Sequence, residues 1–191
     1  MRIIGGRLSG RKLATFSGRR IRPTADRIRE AIFNILSTEL ADAHVLDLFS
    51  GTGALGLEAL SRGAASTVFV ERSVEALRLI RTNIRSCGLL SQTTVIQWDI
   101  MKNLNCIRKT APPFDLIFLD PPYACGMLEP ALINLSCSGA FHQNAVVVAE
   151  HGSEESFSDA AAAGFRLALK KIYGKKAVSF LRPAPCSPAG T

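Results

Sequence analysis

The stretch Leu116 to Tyr123, "LIFLDPPY", runs four apolar residues into a carboxylate, two prolines and an aromatic ring. Asp120, Pro121, Pro122 and Tyr123 are candidate catalytic residues, because together they can hold and activate a weak amine. The lone pair of an exocyclic nucleobase amine is delocalised into its ring. Two acceptors, the Asp120 carboxylate and a backbone carbonyl such as that of Pro121, could each take one N–H and draw the nitrogen toward a pyramidal geometry. The prolines hold that carbonyl rigidly, since each fixes its own φ near about −65°. As positive charge develops on the nitrogen, the carboxylate stabilises it by preorganised electrostatics rather than by covalent catalysis. Tyr123 offers a face on which a base turned out of its helix can stack.

A second set of residues could bind the group that such chemistry needs. "VLDLFSGTGALGLEAL" reads as a strand, a Gly-rich turn and the start of a helix, with Gly51, Gly53 and Gly56 in G-x-G-x-x-G spacing and Glu71 20 residues after Gly51. On pattern alone this suits a nicotinamide dinucleotide. Charge argues otherwise, because Asp47 stands four residues before Gly51, where it would repel a pyrophosphate at the helix N-terminus. Asp47, Glu71, Asp99 and Asp120 fall at or near the carboxyl ends of four successive predicted strands, and such an acidic rim suits a cationic ligand. S-adenosylmethionine carries a sulfonium and an ammonium against one carboxylate, and its ribose diol can donate to Glu71.

The elements that must position these residues follow from periodicity. Short apolar runs at 45–49, 67–71, 94–98, 116–119 and 146–150 read as strands, with helical patterns near 54–61, 74–86, 126–135 and 154–163 between them. This βαβ alternation predicts a doubly wound, mostly parallel α/β sheet covered on both faces. "FRLALKKIYGKKAVSFLR" reads as two more strands joined by a tight turn at Gly174, so the last strand runs antiparallel. Before the sheet, "RPTADRIREAIFNILSTEL" places Ile28, Ile32, Ile35 and Leu36 on one helical face, with Thr24 as N-cap and Asp26 in the first turn.

A chain of 191 residues holds one good-sized core. The expected organisation is a basic N-terminal β-hairpin extension over 1–23, a Rossmann-like domain over 24–183 and a disordered tail over 184–191. No run reaches the length of a membrane span and the N-terminus lacks a secretory core, so a cytoplasmic protein is expected. Five scattered cysteines without a C-x-x-C pair read as free thiols, with no metal site expected. The net charge is +7, and residues 1–40 alone contribute +6. A segregated basic arm is the footprint of a polyanion, which makes Arg2, Arg7, Arg11, Lys12, Arg19 and Arg20 candidate nucleic-acid contacts. The short β-type runs and Gly-rich turns of "RIIGGRLSGRKL" separate this arm from a featureless solubilising tail.

The order "RPTADRIREAIFNIL", "VLDLFSGTGALGLEALSRGA", "VERS" and "FDLIFLDPPY", with "RIIGGRLSGRKL" before it and "YGKKAVSFLR" after, closely resembles the RsmD family of bacterial small-subunit ribosomal RNA guanine-N2 methyltransferases. The resemblance implies a seven-stranded class I methyltransferase sheet, S-adenosylmethionine as donor, and methylation of the exocyclic N2 of a 16S rRNA guanine in an assembled or assembling small subunit. It implies that Gly51 and Gly53 let the backbone approach the cofactor, that Asp47 lies near its methionyl ammonium, Glu71 on the ribose and Asp99 near the adenine amine. Thr24 belongs to a segment near the methionyl end. A monomer that uses no metal and no membrane is expected.

Three competing functions use parts of the same pattern. Asp-Pro-Pro-Tyr and its Asn-headed relative also serve methyltransferases of DNA bases and of protein glutamine, but the chain has no target-recognition domain beyond its basic arm. A nucleotide-dependent oxidoreductase or a non-catalytic RNA-binding module would differ in cofactor binding.

Overall fold

A computed structural model of the chain describes residues 1–16, 23–108, 112–122, 126–155 and 164–185. Tyr123, Arg19, Arg20 and most of the helix expected at 154–163 lie outside the described residues, as does most of the predicted tail.

One seven-stranded sheet organises the chain. Its strands are β1 (His44–Leu48), β2 (Ser66–Glu71), β3 (Thr93–Gln97), β4 (Phe114–Leu119), β5 (Phe141–Gly152), β6 (Phe165–Tyr173) and β7 (Lys176–Pro183), in the spatial order β3-β2-β1-β4-β5-β7-β6. The first five run parallel, and β7 pairs antiparallel with both β5 and β6. All seven predicted strands are present, with ends displaced by a few residues.

The apolar run of β4 shows why this sheet needs two covered faces. Leu116 and Phe118 enter one core with α1 (Pro23–Ile35), α2 (Ala54–Ser61) and α3 (Val74–Cys87), while Ile117 and Leu119 enter the other beneath α4 (Leu128–Ser138). Each such fully buried side chain contributes roughly 1.5–3 kcal/mol. Strand β1 divides the same way, with Val45 in the first core and Leu46 and Leu48 in the second.

Several predicted boundaries are corrected. Helix α1 begins at Pro23, which suits the first helical position because the missing N–H would have had no partner there. Thr24 therefore lies inside the helix rather than capping it. Ile28, Ile32 and Leu36 are buried as expected, but Ile35 is 39% exposed and Phe33 is fully buried in its place. The buried stripe drifts toward Arg29 and Phe33 and leaves Ile35 on its margin. Helix α4 starts at Leu128 instead of Gly126, whose φ of +59° is not helical.

The basic arm is less strand-like than predicted and more deeply attached. An isolated antiparallel bridge joins Arg2 and Lys12, and Gly6–Leu8 form one 3₁₀ turn between them. The Glu58 carboxylate, on the buried face of α2, accepts the amides of Ile4 at 2.7 Å and Gly5 at 2.8 Å, which diverts them from a ladder. Glu58 is fully buried and also pairs with Arg62 at 2.8 Å and Arg29 at 3.7 Å. Ile3 and Leu13 are part of the first core, so the arm packs as a continuation of the domain.

Candidate active site

The turn after β1 bends sharply into α2, and two glycines show what that requires. Gly53 takes φ +77° at the N-cap, a left-handed conformation most residues resist. A side chain at Gly56 would come within 2.5 Å of Phe69 Cε1 on β2, so this glycine sets how closely helix and sheet pack. Ser50 ties the turn to its strands by donating its hydroxyl to the Asp47 carbonyl at 2.6 Å, and the Gly53 amide donates to the Ser50 carbonyl at 2.7 Å.

Beyond this turn lies a cavity of about 620 Å³ at the carboxyl edge of the sheet, a volume within the usual range for small-molecule sites. Phe16, Phe49, Trp98, Ile100, Met101 and Met127 supply apolar walls, and Gly51, Glu71, Ser73, Asp99 and Asp120 supply polar ones. Glu71 is held firmly: Oε2 accepts the Gly51 amide at 3.0 Å, and Oε1 accepts the amides of Arg72 at 2.8 Å and Ser73 at 2.9 Å. Three backbone donors thus orient the carboxylate and still leave it acceptor capacity toward the cavity. Asp99 accepts the Met101 amide at 3.1 Å. Trp98 donates its indole N–H to the Asn103 carbonyl at 2.9 Å, which fixes the ring.

Asp120 and both prolines line the other end of the same cavity. Burial, reinforced by the nearby Glu150 carboxylate, pushes the Asp120 carboxyl up to about 7, while Lys176 pulls it down. The structure therefore brings Glu71, Asp99, Gly51 and Asp120 together. It does not bring Asp47 or Gly53 into the wall. Asp47 is 2% exposed and accepts the Gly56 amide at 2.9 Å, so it pins the first turn of α2 from beneath the site. Its burial, with Asp120 and Glu71 nearby, holds its carboxyl well above the ordinary range even though the Gly56 amide opposes this. The Asp47 charge, expected at the ligand, instead supports the turn that faces it.

His151, beside Glu150, is held at both ring nitrogens. Its Nδ1 lies 2.7 Å from the Gly152 carbonyl and must donate there, which leaves Nε2 to accept from Ser179 Oγ at 2.9 Å. Burial lowers its proton affinity, against the Gly152 hydrogen bond, which raises it.

Phe49, Ser73, Trp98, Ile100, Met101 and Met127 were not among the predicted site residues, and neither were two residues that tie the arm to the site. Phe16 reaches the cavity from the end of the arm. Asn83, 1% exposed on α3, accepts the Ala14 amide at 2.7 Å and donates Nδ2 to the carbonyls of Ala14 at 3.1 Å and Thr52 at 2.9 Å. One side chain thereby joins the arm to the Gly-rich turn. Among the described residues no cluster of His, Cys, Asp and Glu could hold a metal ion, and no helix is long and apolar enough to cross a membrane.

A family model described as "Conserved hypothetical protein 95" matches residues 1–182. Ribosomal RNA small subunit methyltransferase D of Escherichia coli is 34% identical over 177 residues, covering 93% of this chain and 87% of the relative. The chain belongs to this family, the RsmD family. The solved structure of yhhF from Escherichia coli superimposes with a TM-score of 0.84 at 33% identity, over 96% of this chain and 98% of that one. More distantly, SMU.776, solved with SAH bound, shares the fold with a TM-score of 0.64 at 17% identity, covering 85% of this chain and 50% of that chain. The class I methyltransferase sheet expected of an RsmD family member is the sheet observed.

Proposed function

We propose that this RsmD family member transfers a methyl group from S-adenosylmethionine to the exocyclic N2 of a guanine in 16S ribosomal RNA, within an assembled or assembling small subunit. The observation that carries this reading is a single cavity with Glu71 fixed by three backbone amides at one end and the rigid Asp120-Pro121-Pro122 loop at the other. Its carboxylates suit a cationic ligand and would repel a pyrophosphate at the Gly51 turn. Names of relatives as ribosomal RNA small subunit methyltransferases support the substrate class.

The cofactor, when bound, supplies an electrophilic methyl on sulfur. Glu71 and the Gly51 backbone would hold its ribose, Asp99 its adenine amine, and the Phe16 and Trp98 rings would exclude water. Asp120 accepts one N–H of the guanine amine and the Pro121 carbonyl the other. Because its proton affinity is raised, Asp120 can also take the proton that the nitrogen must lose once it has become cationic. The Tyr123 ring would offer the base a stacking face, and Arg2, Arg11 and Lys12 would meet phosphates along the arm. Thr24 would approach the methionyl end.

Asp120→Ala tests the reading. Methyl transfer should fall by about 10²-fold or more, as expected for a lost preorganised charge, while cofactor binding stays within a few-fold by calorimetry. Turnover surviving within a few-fold would remove Asp120 from the chemistry.

A further inference from the structure

Residues 164 to 185 hold six basic side chains, Arg166, Lys170, Lys171, Lys175, Lys176 and Arg182, and no acidic one. This excess is as large as that of the first 40 residues. Half of it is committed within the fold. Lys176 pairs with Glu150 at 2.5 Å, Lys170 donates to the carbonyls of Ser153 and Glu155, and Arg182 pairs with Glu39 at 2.6 Å. Arg166, Lys171 and Lys175 are exposed, and their side chains make no hydrogen bond or ion pair with any described residue.

Register places two of these three on the carboxyl edge of the sheet, the edge that also carries the candidate active site. Asp120 follows Leu119, which pairs with Ala149 on β5, and three residues farther along β5 Gly152 pairs with Lys176. Tyr173 pairs with Lys176 around the Gly174 turn, so Lys171 and Lys175 flank a hairpin tip on the carboxyl edge, where Asp120 lies. Arg166 sits at the other end of β6, opposite Arg182. Arg7 of the arm is also remote from Asp120. Its guanidinium lies 2.5 Å from Gln92 Oε1, just before β3, on the amino edge of the sheet. A five-residue strand such as β3 separates the edges by roughly 17 Å.

Lysine on an edge strand such as β6 can simply discourage pairing with another chain. That accounts for Lys171 but not for Lys175, which lies in the turn and guards no ladder. Four lysines within residues 170–176, one of them neutralised by Glu150, instead make a focused positive potential on the sheet edge that carries the Asp120 loop.

We propose that the tip of the β6–β7 hairpin is a second RNA-contact surface, in which Lys171 and Lys175 hold the phosphates next to the base presented to Asp120. It rests on the RNA substrate named above. Arg7, on the amino edge, then meets the polyanion at a distance, and the hairpin tip holds it on the edge where the chemistry occurs.

Binding isotherms of the full chain with small ribosomal subunits lacking the modification, at several salt concentrations, test this. In the double variant Lys171→Gln/Lys175→Gln the slope of log K against log salt should fall by roughly 1.4–1.8, about 0.7–0.9 for each phosphate that is no longer neutralised. S-adenosylmethionine binding and the thermal midpoint should be unaffected. Arg166→Gln, which removes a charge from the far end of the same strand, should leave the slope unchanged. A double variant whose slope parallels wild type overturns the proposal, as does an equal effect per charge from Arg166→Gln, which would mark a general charge effect. A wild-type protein without salt-dependent RNA binding would overturn the RNA substrate itself, and the hairpin surface with it.

Discussion

Lys176 Nζ lies 2.5 Å from Glu150 Oε1, and this ion pair stands beside the loop that carries Asp120. The two partners act on Asp120 in opposite directions, Glu150 raising its proton affinity and Lys176 lowering it, on top of the larger effect of burial.

The pair should therefore be visible in the pH dependence of methyl transfer. Asp120 must be a carboxylate to accept an N–H, so kcat/KM should rise as pH climbs through about 7. Glu150→Gln removes the charge that disfavours ionisation, and the acid limb should move to lower pH. Lys176→Met removes the opposing cation, and the limb should move to higher pH. Activity losses with the limb unmoved in both variants would confine the ion pair to a structural role.

Glu71→Ala should weaken S-adenosylmethionine binding with less effect on the rate at saturation. Hydrogen bonds to a charged acceptor are worth roughly 1.5–3 kcal/mol, or about 10- to 150-fold in affinity. Calorimetric titration measures this directly, and an unchanged dissociation constant would put Glu71 outside the site.

Asn83→Ala should act at a distance. It leaves the Ala14 and Thr52 backbone groups without their partner, which costs about 1–3 kcal/mol for each group left unsatisfied. The thermal midpoint should fall, and S-adenosylmethionine affinity should fall with it because Phe16 and the Gly-rich turn lose their common tie. Denaturation and titration of the same variant check both effects. Reduced stability with unchanged affinity would show that the arm does not shape the cavity.

Local pattern made the sheet and most of the cavity legible. Leu116 to Leu119 had to be buried on both faces, and they alternate between two cores. Gly51, Glu71, Asp99 and Asp120 were readable because strand, turn and carboxylate recur in a fixed order at one sheet edge. Asn83 was not, since its partners lie 69 and 31 residues away and a polar residue in a helix pattern usually faces solvent. Glu58 was hidden for the same reason, its arm partners being 54 and 53 residues distant. Asp47 was legible as an acid near the turn, but sequence could not say whether it would face the ligand or the α2 amides. The basic hairpin tip was masked because its lysines lie among the apolar residues of an ordinary strand pair.

The most direct measurement is the identity of the methylated nucleoside. Small ribosomal subunits lacking the modification are incubated with the protein and methyl-labelled S-adenosylmethionine, and the 16S rRNA is digested to nucleosides. Label should appear in N2-methylguanosine with wild type and be at least about 10²-fold lower with Asp120→Ala. Label in any other nucleoside, in protein, or nowhere would contradict the account.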